Sequence, residues 1–214
     1  VVGKLSSRGN ELYLEGQLFE VARGERLSAK RYVGDQRTVR TMVHRLTDEI
    51  VFRLTGEKGI ASSRIAHVSS VDGVKEIYVM DYDGHNPVLI TGNRSINLSP
   101  RWSPDGKKIA YTSYRDQNPD LFVVNLETGR RQKVSSSPGL NIAPAWSPDG
   151  EWLAFSMSND RGTNLFLSRA DGTGLRPLTL GPHINVSPSF SPNGRQVVFN
   201  SDRGGTPQIY VMDV

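Results

Sequence analysis

The chain has 214 residues, 26 Lys+Arg against 22 Asp+Glu, 36% hydrophobic residues and no cysteine. That composition describes a globular protein, and no apolar run approaches the roughly 18 residues that a spanning helix needs. Zero cysteine removes disulfides, thiolate metal sites and a cysteine nucleophile together, while leaving the redox compartment open. The net charge of +4 is uneven: residues 1–64 hold 12 Lys+Arg and 8 Asp+Glu, and residues 65–214 hold 14 of each. The start at Val1-Val2, without methionine or a charged-then-apolar signal segment, reads as the interior of a strand and so as a fragment or processed form.

Residues 1–59 form the first segment. Leu12, Leu14 and Leu18 alternate with polar positions in a strand, Arg23-Gly24 supplies a turn, and Leu27 to Val33 makes the return strand. A helix over 36–55 follows. Val39, Met42, Val43, Leu46 and Ile50 share one face, Gly34-Asp35 provides the cap region and Gly56 the stop. The opposite face carries Arg37, Arg40, Arg45 and Arg53 with Asp48 and Glu49 interspersed. Mixed acids on an arginine face favour plain solvation over nucleic-acid binding. The segment is expected to be the end of a small α/β domain.

From residue 60 a 44-residue repeat takes over. Ser103-Pro104-Asp105-Gly106 returns as Ser147-Pro148-Asp149-Gly150 and Ser191-Pro192-Asn193-Gly194. Trp102, Trp146 and Phe190 keep the same interval, as do Pro100, Pro144 and Pro188, and Asn97, Asn141 and Asn185. A fourth series starts at Ile77, Leu121, Leu165 and Ile209. Each period reads as four short strands: residues 99–103, a Pro-Asp-Gly turn, 108–113, 121–126, and a polar edge strand over 130–135. Four strands in about 44 residues, with aromatic and turn residues at fixed offsets, define a β-propeller blade whose first strand is innermost. The expected blades are about 60–92, 93–136, 137–180 and a partial 181–214. These make about 3.5 blades, fewer than a closed ring uses.

No catalytic pattern emerges. His44, His67, His85 and His183 show no metal-ligand pairing, and G-x-S-x-G, H-E-x-x-H and phosphate-loop motifs are missing. Asp81-Tyr82-Asp83-Gly84 and Asp171-Gly172 resemble pieces of a calcium loop without its remaining ligands, and read as turns. No cofactor or metal site is therefore expected. The loops entering the inner strands place Arg94, Asn97, Asn141, His183 and Asn185 at the channel mouth, among Leu98, Leu140, Ile142, Ile184 and Val186, a mixture suited to a protein or peptide ligand. The repeated Asn also fits a tight or left-handed turn before the strand. Leu98, Ile142, Val186, Ser99, Ala143 and Ser187 vary between copies and are candidates for specificity.

Several stretches resemble the TolB family of the bacterial Tol-Pal envelope system. They are Arg64-Ile65-Ala66-His67-Val68, Ile77 to Gly84, Ser99 to Gly106 and Ser201 to Tyr210, with the helix ending Leu54-Thr55-Gly56-Glu57 just before the first blade. The W-S-P-D-G repeat alone is shared with propellers of prolyl-oligopeptidase-type peptidases. The TolB resemblance implies a six-bladed propeller after an N-terminal α/β domain, a periplasmic location and no enzymatic activity. It also implies binding of the peptidoglycan-associated lipoprotein Pal at the mouth, through Leu140, Asn141, Ile142, Ala143, Asn185, Val186 and Ser187 together with Arg94, Asn97 and His183. Family members also contact TolA through the mature N-terminus, which is not assignable to these residues, and are recruited by some colicins. The alternatives are a gating propeller of a serine peptidase and an extracytoplasmic sensor propeller.

Overall fold

Alternating apolar residues in the leading segment produce a sheet with one buried face. In the computed structural model, which describes residues 1–71 and 73–214, β1 (Val2–Arg8), β2 (Glu11–Glu20) and β3 (Glu25–Gly34) pair antiparallel in chain order. Residue 72, within the span expected for the first blade, lies outside the described residues. Leu14 and Leu18 are buried on β2, and helix α1 (Val39–Thr55) packs against β2 and β3. Gly16 permits that approach, because a Cβ there would fall 2.4 Å from Leu46 Cδ1.

The helix starts three residues later than the periodicity predicts. Asp35 accepts the N–H groups of Arg37 (2.9 Å) and Thr38 (3.0 Å), closing a turn that delays the first helical residue to Val39. Its end falls where Gly56 predicts: Gly56 takes a left-handed φ of 76° and its N–H donates to the Phe52 carbonyl. Of the expected apolar face, Met42 is buried but Val43 is 44% exposed. The narrow sheet covers a thinner strip of helix than the five-residue stripe assumed.

Four further antiparallel sheets follow. They are β4 (Arg64–Val71), β5 (Val74–Asp81) and β6 (Val88–Leu89); β7 (Asn97–Trp102), β8 (Lys108–Ser113), β9 (Asp120–Asn125) and β10 (Arg131–Ser135); β11 (Asn141–Trp146), β12 (Trp152–Asn159), β13 (Gly162–Arg169) and β14 (Arg176–Pro177); and β15 (Asn185–Phe190), β16 (Gln196–Ser201) and β17 (Gln208–Asp213). Within each sheet the spatial order equals the chain order, so the polar β10 lies at an edge, as its composition predicts. By the 44-residue register β4 corresponds to β8, so the first of these sheets begins with its second strand. Ile65 is accordingly 36% exposed, while Ile109, Leu153 and Val197 at the same register are fully buried.

Second and third strands read as continuous apolar runs because both their faces are covered. Ile109, Tyr111, Phe122 and Val124 turn one way and pack with Ile77 and Val79 of the preceding sheet. Ala110, Leu121 and Val123 turn the other way onto Trp146, Leu153 and Phe155 of the next. Leu165, Val197 and Phe199 form the third inter-sheet cluster. A fully buried side chain of this size contributes about 1.5–3 kcal/mol, so the sheets are held to one another chiefly by these layers. An aromatic pair recurs in each of these four sheets at the same two register positions: His67 with Tyr78, Tyr111 with Phe122, Phe155 with Phe166, and Phe199 with Tyr210. By packing, the described residues divide into Val1–Ile65 with Met80–Pro87, and Ala66–Val79 with Val88–Val214.

Candidate functional site

The three first strands lie side by side, β11 between β7 and β15, and each carries the same irregularity. On β7, Leu98 pairs with Thr112 and Arg101 with Ala110, so Ser99 and Pro100 together oppose the single residue Tyr111. Ala143-Pro144 oppose Phe155 and Ser187-Pro188 oppose Phe199 in the same way. These are β-bulges whose first residue is left-handed, with φ of 54° at Ser99, 54° at Ala143 and 56° at Ser187. Non-glycine residues rarely adopt this conformation, and alanine has no polar side chain to stabilise it. Three copies of a costly backbone shape in one wall mark it as a candidate site.

The wall encloses about 460 Å³ and is lined by residues 99, 101, 102 and 104, 143–146 and 187–190, with Trp102, Trp146 and Phe190 among them. Trp146 Nε1 donates to the Arg101 carbonyl at 3.1 Å, fixing one inner strand to the next. Of the predicted mouth residues, Ser99, Ala143 and Ser187 line this wall. Leu140 (36% exposed) and Ile142 lie just before it on the same strand approach. Val186 and Ser187 also border a cleft with Phe199 and Ile209, and His183 sits beside Arg203 and Met212 in another. His183 Nδ1 is 3.8 Å from Asp202. Arg94 is exposed in the loop before β7, with a left-handed φ of 54°.

Asn97, Asn141 and Asn185 are placed differently from either expectation. All three are buried, at 1% exposure or less, and the left-handed residue is the one two positions later. Their side chains are committed internally. Asn97 Nδ2 donates to the Lys75 carbonyl (3.1 Å) and to Glu76 Oε2 (2.9 Å) of the preceding sheet. Asn185 Nδ2 donates to the Thr163 carbonyl (3.1 Å) while its Oδ1 accepts from Ser201 (2.8 Å) and Arg203 (2.8 Å). For Asn141 the partners are the Ser137 and Gly139 carbonyls and the Ser135 hydroxyl, and its own N–H reaches the Pro119 carbonyl (3.0 Å). The asparagines latch each inner strand to the preceding sheet or its own entry loop, and they present no side chain to a ligand.

Glu76 is the functional-looking residue that motif reasoning passes over. Its carboxylate is buried and accepts from the Thr91 hydroxyl, Gly92 N–H (3.0 Å), Arg94 N–H (2.7 Å) and Asn97 Nδ2. It therefore shapes the loop that carries Arg94. A signal existed in the sequence: Glu76, Asp120, Asn164 and Gln208 stand 44 apart, each just before the apolar run of a third strand. At the opposite ends of the inner strands, Asp105 and Asp149 each accept a serine hydroxyl and a backbone N–H, which hold their carboxyls below the usual carboxylate range. Asp83, in the turn expected from Asp81 to Gly84, is met by Arg40 and by His44 Nε2 at 3.1 Å.

Sheets of chain-ordered antiparallel strands, stacked face to face with their first strands adjacent, are the blades of a β-propeller. The chain belongs to the TolB β-propeller domain family, whose model matches residues 51–214. A protein named Tol-Pal system protein TolB, from Geobacter metallireducens, is 48% identical over 101 residues, 47% of this chain and 24% of that protein. The crystal structure of TolB from Acinetobacter baumannii superposes with a TM-score of 0.88 at 30% identity, over 99% of this chain and 54% of that one. A puromycin-hydrolysing peptidase of Mycobacterium tuberculosis shares the fold alone, at 17% identity and a TM-score of 0.57, over 99% of this chain and 36% of that one. The chain thus spans about half of its solved relative and a quarter of its curated one. Among the described residues, no helix is long and apolar enough to cross a membrane.

Proposed function

We propose that the chain is a non-enzymatic protein-interaction scaffold of the Tol-Pal system, acting in the periplasm and holding the peptidoglycan-associated lipoprotein Pal at its inner-strand mouth. Through that contact it supports outer-membrane integrity and cell division. In this reading residues 60–214 are successive blades and residues 1–59 the end of an α/β domain. The observation that carries the proposal is the wall of three left-handed bulges at Ser99, Ala143 and Ser187, all three at positions that the sequence singles out as varying between copies. The lining offers small side chains, aromatic edges and backbone groups displaced from the ladder, all suited to an extended polypeptide. Its hydroxyls at Ser99, Ser187 and Ser189 have no histidine or carboxylate beside them in that lining, which supports binding over hydrolysis.

The test is calorimetric titration with the soluble domain of Pal. Ala143→Leu fills the wall with three extra carbons and Leu140→Ala removes an exposed apolar contact; each is expected to weaken binding about tenfold or more, the usual effect of disturbing a well-packed contact. Unchanged affinity in both variants, with melting temperatures preserved, would remove the mouth from consideration.

A further inference from the structure

Among the described residues the concave wall has one charged side chain, and it is a cation. Arg101 occupies the position after the bulge on β7 where β11 has Ala145 and β15 has Ser189, and it is exposed into the cavity. Its guanidinium has a long contact of 3.4 Å to its neighbour's carbonyl at Pro100, and none of the ion pairs found among the described residues involves it. Among the described residues no carboxylate lines the cavity. At the entrance to the same strand stands a second exposed cation, Arg94, and the nearby Glu76 does not neutralise it by a side-chain pair: the carboxylate is buried and accepts the Arg94 backbone N–H instead. By the 44-residue register the other two first strands present neutral groups at the corresponding places, Pro138 and Ala145 for β11 and Pro182 and Ser189 for β15.

We infer that Arg101 is the specificity-determining anchor for an acidic side chain of the protein segment that enters this mouth. The ligand is thus an extended segment with an Asp or Glu directed at the β7 side and uncharged residues directed at β11 and β15. Guanidinium and carboxylate match in a two-pronged hydrogen-bonded geometry that an ammonium does not reproduce. On a wall otherwise free of charge, that pair fixes the orientation and register of the bound segment. This inference rests on the proposed Pal-binding role and names the chemistry that role requires.

The experiment measures Kd for the soluble domain of Pal as a function of salt, using the wild-type chain, Arg101→Ala, Arg101→Lys, Arg101→Glu and the mouth variant Ala143→Leu. Arg101 is exposed, so its replacement leaves the inter-blade packing intact, and a melting curve for each variant checks this. The expected result is a loss of about tenfold in Arg101→Ala, partial recovery in Arg101→Lys and a larger loss, about a hundredfold, in Arg101→Glu, scaled from the strength of charge-assisted pairs. Wild-type binding should also weaken with added salt, and Arg101→Ala should flatten that dependence. If Ala143→Leu weakens binding while every Arg101 variant binds like wild type, the anchor is refuted and the mouth stands. If the folded wild type does not bind Pal, the proposed partner falls, and the anchor with it.

Discussion

Replacing Asn141 with alanine should cost stability first and binding only as a consequence. The Asn141 side chain is fully buried; its Nδ2 donates to the carbonyls of Ser137 (2.7 Å) and Gly139 (3.2 Å), and its Oδ1 accepts from the Ser135 hydroxyl (2.6 Å). Alanine deletes all three hydrogen bonds. Ser137 and Gly139 lie in a loop with access to water, so their carbonyls recover solvent partners, and each lost bond there costs about 0.5–1.5 kcal/mol. Ser135 is buried, with only the Met157 sulfur at 3.8 Å as a weak alternative, so its orphaned hydroxyl adds about 1–3 kcal/mol. The sum is about 4 kcal/mol, which for a chain of this length lowers the melting temperature by roughly 8–16 °C. Asn141→Asp keeps the acceptor but loses both donors and buries a charge, so it should be at least as harmful. Thermal and urea melts followed by circular dichroism measure this. A variant that melts within a degree of wild type yet has lost its partner would refute the latch and make Asn141 a ligand contact.

Two further outcomes follow from the turns. Asp105 and Asp149 are held below the usual carboxylate range by a serine hydroxyl and a backbone N–H, so their contribution to stability is present above the unfolded value of about 3.9 and is lost as the pH falls through the lower folded value. The double variant Asp105→Asn, Asp149→Asn, imitating Asn193 in the third copy, should flatten the fall of melting temperature below about pH 4; an unchanged acid limb would contradict the assignment. Gly150→Ala tests backbone conformation alone, since φ is 74° and the nearest atom to an added Cβ, Pro104 Cδ, is 3.6 Å away. The expected destabilisation is about 1 kcal/mol, and a melting curve unaltered by the substitution would rule out the left-handed turn.

Much of the architecture was legible in the chain because the repeated features are local. Pro104, Asp105 and Gly106 close their own turn: the Ser103 hydroxyl donates to Asp105, the Lys107 N–H donates to the same carboxylate, and the Gly106 N–H donates to the Ser103 carbonyl. The helix stop at Gly56 is equally self-contained. The start of that helix was less legible, since Asp35 acts through an extra turn that spacing of apolar residues does not encode. Val43 was misassigned because amphipathic periodicity gives the direction of a buried stripe but not its width.

Counting located the inner strands, yet the left-handed residue on each is not the repeated asparagine. Asn97, Asn141 and Asn185 stood out by repetition and proved to be buried latches, while the left-handed strain sits on Ser99, Ala143 and Ser187. Only tertiary structure decides this, because Asn97 and Asn185 find their partners 21 or 22 residues away on a neighbouring sheet. The bulge itself is set by a mismatch of one residue between adjoining strands. Glu76 shows the same dependence: its carboxylate is an unremarkable strand residue until the chain returns 15 to 21 residues later to surround it with donors. The sequence by itself determined the period, the turns and the alternation that stacks blade on blade, since each is encoded within a few residues. Which polar groups are buried and which line the wall was decided only when separate blades came into contact, because burial is a property of neighbours that a single repeat does not contain.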